Sequence, residues 1–128
     1  MGGGKQEVAL LRELAAKHPA AVLVAGRFSL SDEMTIISQL DVMISMDSAN
    51  MHLASLFGVP VVSVWGATHP FAGFMGYGQS PDNAVQIHDL SCRPCSVFGN
   101  KPCFRGDYAC MEWIKPARIA EKVSEVIS

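Results

Sequence analysis

The sequence predicts an α/β fold, with a parallel sheet and helices on both faces of the sheet. Short apolar runs rich in valine and isoleucine alternate with segments of helical periodicity along residues 5–65. The apolar runs are nearly continuous, which is typical of parallel strands buried on both faces. Glycine, proline and serine residues separate the runs, so that the strands and helices have recognisable ends.

The amino-terminal part contains two predicted helices and one predicted strand. Residues 5–18 carry apolar side chains at helical spacing, and Pro19 ends the pattern. The run at residues 21–25 is short, rich in β-forming residues and closed by a glycine, which predicts a strand. Ser31 is predicted to cap a second helix, which has acidic residues in its first turn.

The central part predicts a strand, a helix and a second strand. The strand at residues 42–45 is followed by a helix at residues 48–57, which Gly58 ends, and then by a strand at residues 59–65. Because parallel strands point the same way, the loops after these two strands are expected to lie side by side at one edge of the sheet.

Beyond residue 70 the pattern becomes irregular. Glycine, proline, aspartate and asparagine residues break the periodicity, and only residues 84–88 suggest another short strand. Residues 92–110 form a loop-rich insert that contains all four cysteines. Residues 114–127 predict a C-terminal helix with Pro116 near its first turn.

Length and composition favour a single domain. The chain has 128 residues, 49% of them hydrophobic, and a formal net charge of −2. Disorder and electrostatic capture of nucleic acid are therefore disfavoured. No apolar stretch reaches the roughly 18 to 20 residues of a membrane span, and no signal-peptide core follows Met1, so we predict a cytoplasmic protein. Three parts are expected: core βα units (1–70), a loop-rich segment with the cysteines (71–113) and a C-terminal helix (114–128).

An acidic and hydroxyl-bearing turn follows the strand at residues 42–45 and opens the next helix. The first backbone N–H groups of a helix have no partner within it, so they can hold a phosphate group. A carboxylate at the strand end can accept hydrogen bonds from sugar hydroxyls. In the alternative interpretation, Asp47 caps the helix and His52 is a core residue. The candidate ligand-binding residues are Asp47, Ser48, Ala49, Asn50 and His52.

A second small-residue loop follows the strand at residues 59–65. Gly66 permits close approach of a backbone, and Thr68 and His69 can donate hydrogen bonds to a phosphate or a ribose. The alternative is a plain exit turn that Gly66 and Pro70 shape. Beside the first loop, the ligand-binding interpretation is favoured.

The four cysteines fall within nineteen positions, as Cys92, Cys95, Cys103 and Cys110. In a cytoplasmic chain, such clustering favours a structural Zn²⁺ held by thiolates. Only the first pair has C-x-x-C spacing, and six residues separate the second pair. Reduced packing cysteines, a disulfide or redox chemistry remain the alternatives. None of these interpretations makes the cysteines catalytic.

Three segments in order carry a family resemblance: residues 47–54 (DSANMHLA), 56–62 (LFGVPVV) and 66–70 (GATHP). Together they resemble the donor-side signature of glycosyltransferase family 9, the heptosyltransferases of lipopolysaccharide core assembly. The resemblance extends upstream to residues 26–30 and downstream to the cysteine segment and the last helix.

The resemblance implies a two-domain GT-B enzyme whose C-terminal, Rossmann-like half binds a nucleotide-activated sugar, usually ADP-heptose. This chain is similar to that half only, so we expect a truncated protein that lacks the N-terminal acceptor domain and its general base. The implied reaction is an inverting sugar transfer that requires no metal cofactor. The partners implied are the donor and the missing acceptor domain, with at most peripheral membrane association of the full enzyme.

The resemblance also implies roles for the first loop. Asp47 would contact the sugar, and Ser48, Ala49 and Asn50 would present the helix N-terminus to the diphosphate. Many members of the family have glycine at the position of Ala49, which would alter the phosphate geometry here.

Four other residues receive roles from the resemblance. His52 would support the first loop from within. Thr68 falls on a Gly-x-Thr-x-Pro turn near the donor, and Arg27 and Glu33 are weaker candidates on the nucleotide side.

A non-catalytic α/β binding module with a zinc-stapled insert is the alternative function. Aromatic and methionine side chains in irregular segments can anchor a protein partner. The candidates are Phe71, Phe74, Met75, Tyr77 and Trp113. The transferase function requires an affinity for nucleotide diphosphates that falls when Asp47 or Ser48 is changed. The binding module predicts that these changes have no effect.

Overall fold

The computed structural model describes residues 4–128, and the expectations for Met1–Gly3 lie outside these residues. Two 3-10 turns, Pro70–Ala72 and Pro81–Asn83, interrupt the long segment after the second strand. The helices and strands are α1 (Lys5–Lys17), α2 (Leu30–Ser38), β1 (Met43–Met46), α3 (Ala49–Leu56), β2 (Val61–Trp65), β3 (Ala84–Gln86), α4 (Ala109–Glu112) and α5 (Pro116–Ile127).

The three strands form one parallel sheet in the order β1, β2, β3. Met43 pairs with Val61, and Ser63 pairs with Ala84. The carboxyl ends of the strands therefore lie at one edge of the sheet. The predicted α/β fold with a parallel sheet is confirmed.

Strand β2 is buried along its whole length because helices cover both of its faces. On one face, Val61 and Trp65 pack with Met51 of α3 and Ile37 of α2. On the other face, Val62 and Val64 pack with Val85 and with the apolar side of α5. This double burial explains why the strand is a nearly continuous apolar run, which only Ser63 interrupts.

The side chain of Gln79 joins the start of β2 to the end of α3. Its Oε1 accepts a hydrogen bond of 2.8 Å from the Val61 N–H. Its Nε2 donates to the Ser55 hydroxyl at 3.1 Å and to the Val59 carbonyl at 2.9 Å. The irregular segment after residue 70 is thus fastened back onto the core.

The predicted strand at residues 21–25 is wrong. The segment has no strand pairing, and the Val22 side chain is 78% exposed. An apolar run becomes a strand only if its backbone groups pair with a neighbour. On the adjacent strand β1, the side chains of Ile44 and Met46 are about half exposed.

The N-cap of the second helix lies two residues before the predicted cap at Ser31. Ser29 is the N-cap: its hydroxyl accepts a hydrogen bond of 3.2 Å from the Asp32 N–H, and its own N–H donates to the Asp32 carboxylate. This reciprocal capping box satisfies two backbone donors, whereas a cap at Ser31 would leave them free.

The helix predicted at residues 5–18 is confirmed as α1, although none of its residues is buried. The C-terminal helix is confirmed with Pro116 as its first residue. Among residues 4–128, no helix has both the length and the apolar character needed to span a membrane.

Candidate functional site

Two loops follow neighbouring parallel strands at the carboxyl edge of the sheet. The first, residues 47–48, connects β1 to α3, and the second, residues 66–70, follows β2. The strands are paired through Met46 and Val64, so the two loops begin next to each other. Ligands of open α/β sheets bind at this edge, in the crevice between adjacent loops.

The first loop presents the start of α3 without blocking it. Ser48 is the N-cap residue, but its side chain makes no cap hydrogen bond. Its hydroxyl instead lies 2.9 Å from the hydroxyl of Ser45. The Met51 N–H donates to the Ser48 carbonyl at 3.2 Å, so it is not available to a ligand. The backbone N–H group of Ala49 lies at the start of α3, where an anion can bind.

Asp47 does not cap α3, because the N-cap position belongs to Ser48. The Asp47 side chain is half-buried at the strand end. None of the hydrogen bonds or ion pairs found among residues 4–128 involves its carboxylate. The carboxylate can therefore accept hydrogen bonds from a ligand.

The side chain of His52 is exposed on α3. Both expectations that placed it inside the protein, as a core residue or as support for the loop from within, are wrong. Met51, Ala54 and Ser55 occupy the inward face of α3, and His52 lies outside that face.

Gly66 is buried and has a packing role. A Cβ atom at this position would lie 2.4 Å from the Sδ atom of Met111 in α4. Its carbonyl accepts a hydrogen bond of 2.6 Å from the Arg93 Nε. Glycine is needed here for the approach of α4, which differs from the expected approach of a ligand.

His69 has a defined tautomer because its ring caps the turn that follows it. The Nδ1 atom accepts a hydrogen bond of 3.0 Å from the Phe71 N–H, so the neutral ring carries its proton on Nε2. The Phe71 ring lies 4.3 Å from the His69 ring, centroid to centroid. The Nε2–H group is thus a donor at the edge of the second loop, beside the half-buried Thr68.

The pKa of His69 is lowered from its ordinary value, first by burial and then by the charges of Arg93 and His88. The unfolded chain therefore binds more protons at this site than the folded protein. The stabilising Nδ1 bond is fully present above the unfolded pKa and is lost as the pH falls through the folded pKa.

We expect an NMR titration of the His69 ring to give a pKa below the ordinary histidine value. The protection factor of the Phe71 amide, which is corrected for intrinsic exchange, is expected to decrease as the pH falls through that value, because a protonated ring cannot accept its hydrogen bond. His69→Asn is the control, since an asparagine oxygen can cap the same turn without titrating. A Phe71 amide with the same pH response in both proteins would contradict the assignment.

Arg93 lies at the same edge, and the sequence did not predict it as a site residue. Its guanidinium donates to carbonyls of the second loop and to the end of β3. The one available signal was a single arginine inside the C-x-x-C pair, which points to no particular role by itself.

The four cysteines are free thiols, with Cys110 buried and the other three half-buried. Burial raises the pKa of the Cys110 thiol, and the Tyr108 backbone N–H lowers the pKa of Cys103. Within residues 4–128, no group of three or more histidine, cysteine or acidic side chains is placed to hold a metal ion. The structural zinc at Cys92, Cys95, Cys103 and Cys110 stays a prediction.

A cleft of about 690 Å³ lies beside the first loop. Its apolar wall includes Val22, Ile36 and Ile44, and its polar end includes Ser48 and Asn50. The volume falls within the roughly 300 to 1,000 Å³ that small-molecule sites occupy.

Comparisons with known proteins identify the family. The sequence model of glycosyltransferase family 9 (heptosyltransferase) matches residues 1–102. Lipooligosaccharide heptosyltransferase 2 of Campylobacter jejuni subsp. jejuni serotype O:2 is 27% identical, over 98% of this chain and 39% of that protein. The protein of the same name from serotype O:6 is 25% identical over the same shares. No solved structure matches the chain.

The chain spans less than half the length of these curated relatives. The family match nevertheless includes both loops at the carboxyl edge and extends to Pro102 in the cysteine segment. The chain therefore belongs to glycosyltransferase family 9, the heptosyltransferase family.

Proposed function

We propose that this chain is the donor-binding part of a glycosyltransferase of lipooligosaccharide or lipopolysaccharide synthesis, and that its donor is ADP-heptose. One observation carries the proposal. The start of α3, which has no side-chain cap, lies beside the second loop together with the Asp47 carboxylate, which has no partner among residues 4–128. Sheets of this kind bind ligands at this edge. Membership of family 9 supports the same function.

The diphosphate is assigned to the start of α3. The N–H group of Ala49 and the positive end of the helix dipole favour an anion there. During transfer, negative charge develops on the departing diphosphate, and this preorganised helix start stabilises it without reorganisation. The proposed reaction needs no metal ion. The acceptor substrate supplies the attacking hydroxyl, and the general base that takes its proton would come from an acceptor-binding domain outside these residues.

The sugar is assigned to Asp47 and the rest of the donor to the second loop. A carboxylate can accept hydrogen bonds from two sugar hydroxyls. Thr68 and the Nε2–H of His69 can donate to phosphate or ribose oxygens. The adjoining apolar cleft offers a place for the nucleobase.

The test is a calorimetric titration with ADP and with ADP-heptose. Asp47→Asn is expected to weaken ADP-heptose binding about tenfold or more, because a hydrogen bond to a charged group contributes about 1.5 to 3 kcal/mol. ADP binding is expected to change much less, since ADP lacks the sugar that Asp47 contacts. Asp41→Asn is the matched control, because Asp41 is exposed and precedes the opposite end of β1.

Equal losses of affinity for ADP and ADP-heptose in Asp47→Asn would contradict the assignment of Asp47 to the sugar. Binding that Asp47→Asn and Ser48→Ala both leave unchanged would contradict the donor site. It would favour the alternative of a non-catalytic binding module, for which Phe71 and Tyr77 are 94% and 86% exposed.

A further inference from the structure

Arg93 lies on the irregular segment after β3 and makes a dense set of hydrogen bonds. Its Nε donates to the Gly66 carbonyl at 2.6 Å, and one Nη2 hydrogen donates to the Thr68 carbonyl at 2.9 Å. The side-chain oxygen of Gln86 accepts from Nη2 at 3.0 Å, and the Ile87 carbonyl accepts from Nη1. One side chain thus joins the second loop to the end of β3.

We propose that Arg93 is a positioning residue, which fixes the second loop of the donor site and does not itself bind the diphosphate. The donor part of this inference rests on the proposed function. The part that concerns the shape of the loop rests on the hydrogen bonds alone.

The available donors of the guanidinium support a positioning role. An arginine side chain has five N–H groups. The single Nε–H and both hydrogens of Nη2 are used within the protein, and Nη1 donates to Ile87. A bidentate grip on a phosphate needs two neighbouring N–H groups, which this arrangement does not leave.

The backbone near Arg93 holds the same loop. The Cys95 N–H donates to the Ala67 carbonyl at 3.1 Å. Three consecutive carbonyls, those of residues 66 to 68, therefore accept hydrogen bonds from Arg93 and Cys95. Gly99 also contacts this loop, since a Cβ atom there would lie 3.0 Å from the Thr68 Cγ2. The segment that contains the first two cysteines acts as a brace for the second loop.

The charge of Arg93 is held by neutral acceptors. The ion pairs found among residues 4–128 do not include it, and its partners are three carbonyls and one amide. A planar guanidinium can bond acceptors that lie in several directions, whereas a lysine ammonium on its flexible stem cannot reproduce the fork. A lysine at this position keeps the charge and loses the geometry.

The experiment compares Arg93→Lys and Arg93→Met with the unmodified chain. Arg118→Met is the matched control, because Arg118 donates a single hydrogen bond of 3.2 Å to the Gln86 carbonyl at the same strand end and does not reach the loop. Amide hydrogen exchange is measured at Cys95 and Ala72, with the amides of α3 as a reference for global stability. ADP affinity is measured at several NaCl concentrations.

Both Arg93 variants are expected to exchange the Cys95 amide at least tenfold faster relative to α3, and Arg118→Met is expected to leave it unchanged. ADP affinity is expected to fall to a similar extent in Arg93→Lys and Arg93→Met. The dependence of the affinity on salt is expected to stay as in the unmodified chain, because no charge contact to the ligand has been removed.

Restoration of ADP affinity by Arg93→Lys, or a flatter salt dependence in Arg93→Met, would overturn the inference in favour of direct phosphate contact. If the Cys95 amide exchanges at an unchanged rate in both variants, Arg93 does not hold the second loop and the inference is wrong. If the unmodified chain binds no ADP, the proposed function fails, while the exchange result still decides whether Arg93 holds the loop.

Discussion

Replacing Trp65 with alanine is expected to lower the free energy of unfolding by about 3 to 5 kcal/mol. Trp65 is fully buried as the last residue of β2, where it packs in the cluster that includes Met51 and Ala54. Its indole N–H donates to the Ser63 hydroxyl at 2.9 Å. Alanine removes both the apolar contacts and this bond, and it leaves a cavity beneath the start of the second loop.

The measurement is urea unfolding followed by far-UV circular dichroism. Trp113→Ala is the matched control, since Trp113 is half-exposed and its ring faces the Arg105 guanidinium at 5.7 Å. We expect the control to lose less than about 1 kcal/mol, because an exposed cation–π contact contributes about 0.5 to 1 kcal/mol. Trp65→Phe is expected to fall between the two. Equal losses at Trp65 and Trp113 would show that this core does not depend on the buried indole.

The central part of the fold was predictable because the residues of each strand and helix indicate that element without reference to distant parts of the chain. Residues 61–65 are apolar except for Ser63, and a nearly continuous apolar strand is typically buried on both faces. The helix after β1 was predicted from a serine before a periodic run and a glycine after it, and the structure has it at Ala49–Leu56. The two loops at the carboxyl edge follow from this alternation.

The errors arose where tertiary context decides the outcome. Residues 21–25 have the composition of a strand, yet nothing in a short run states whether its backbone finds a partner. Ser29 and Ser31 are both acceptable caps, and only the reciprocal bonds between Ser29 and Asp32 select the first.

The contribution of Arg93 to the candidate site could not be predicted from sequence either. Asp47 and Ser48 stand in an order that suggests a ligand site, because strand end and helix start are adjacent along the chain. Arg93 is separated from Gly66 by 27 positions, and its acceptors are backbone carbonyls, which every residue possesses. Such bonds leave no pattern in a single sequence.

Replacing Gly76 is the second substitution for which we expect a large loss of stability. Gly76 lies in the irregular segment between β2 and β3, beyond the second loop. A Cβ atom there would lie 2.2 Å from the Ser55 hydroxyl and 3.2 Å from the Met51 Cγ. The Ser55 hydroxyl cannot easily move, because it donates to the Met51 carbonyl at 2.7 Å and accepts from Gln79. Gly76→Ala is therefore expected to cost about 2 to 4 kcal/mol through overpacking and disruption of these bonds.

A double-mutant cycle in urea unfolding tests this explanation. Adding Ser55→Ala to Gly76→Ala removes the atom that clashes, so we expect the double variant to regain more than half of the lost stability. Gly4→Ala is the control, since nothing lies within 4 Å of a Cβ atom there. Additive losses from Gly76→Ala and Ser55→Ala would contradict the clash. Recovery of stability in the double variant would show that close contact of Gly76 with α3 holds this part of the segment. Arg93 is proposed to hold the second loop, nearer the donor.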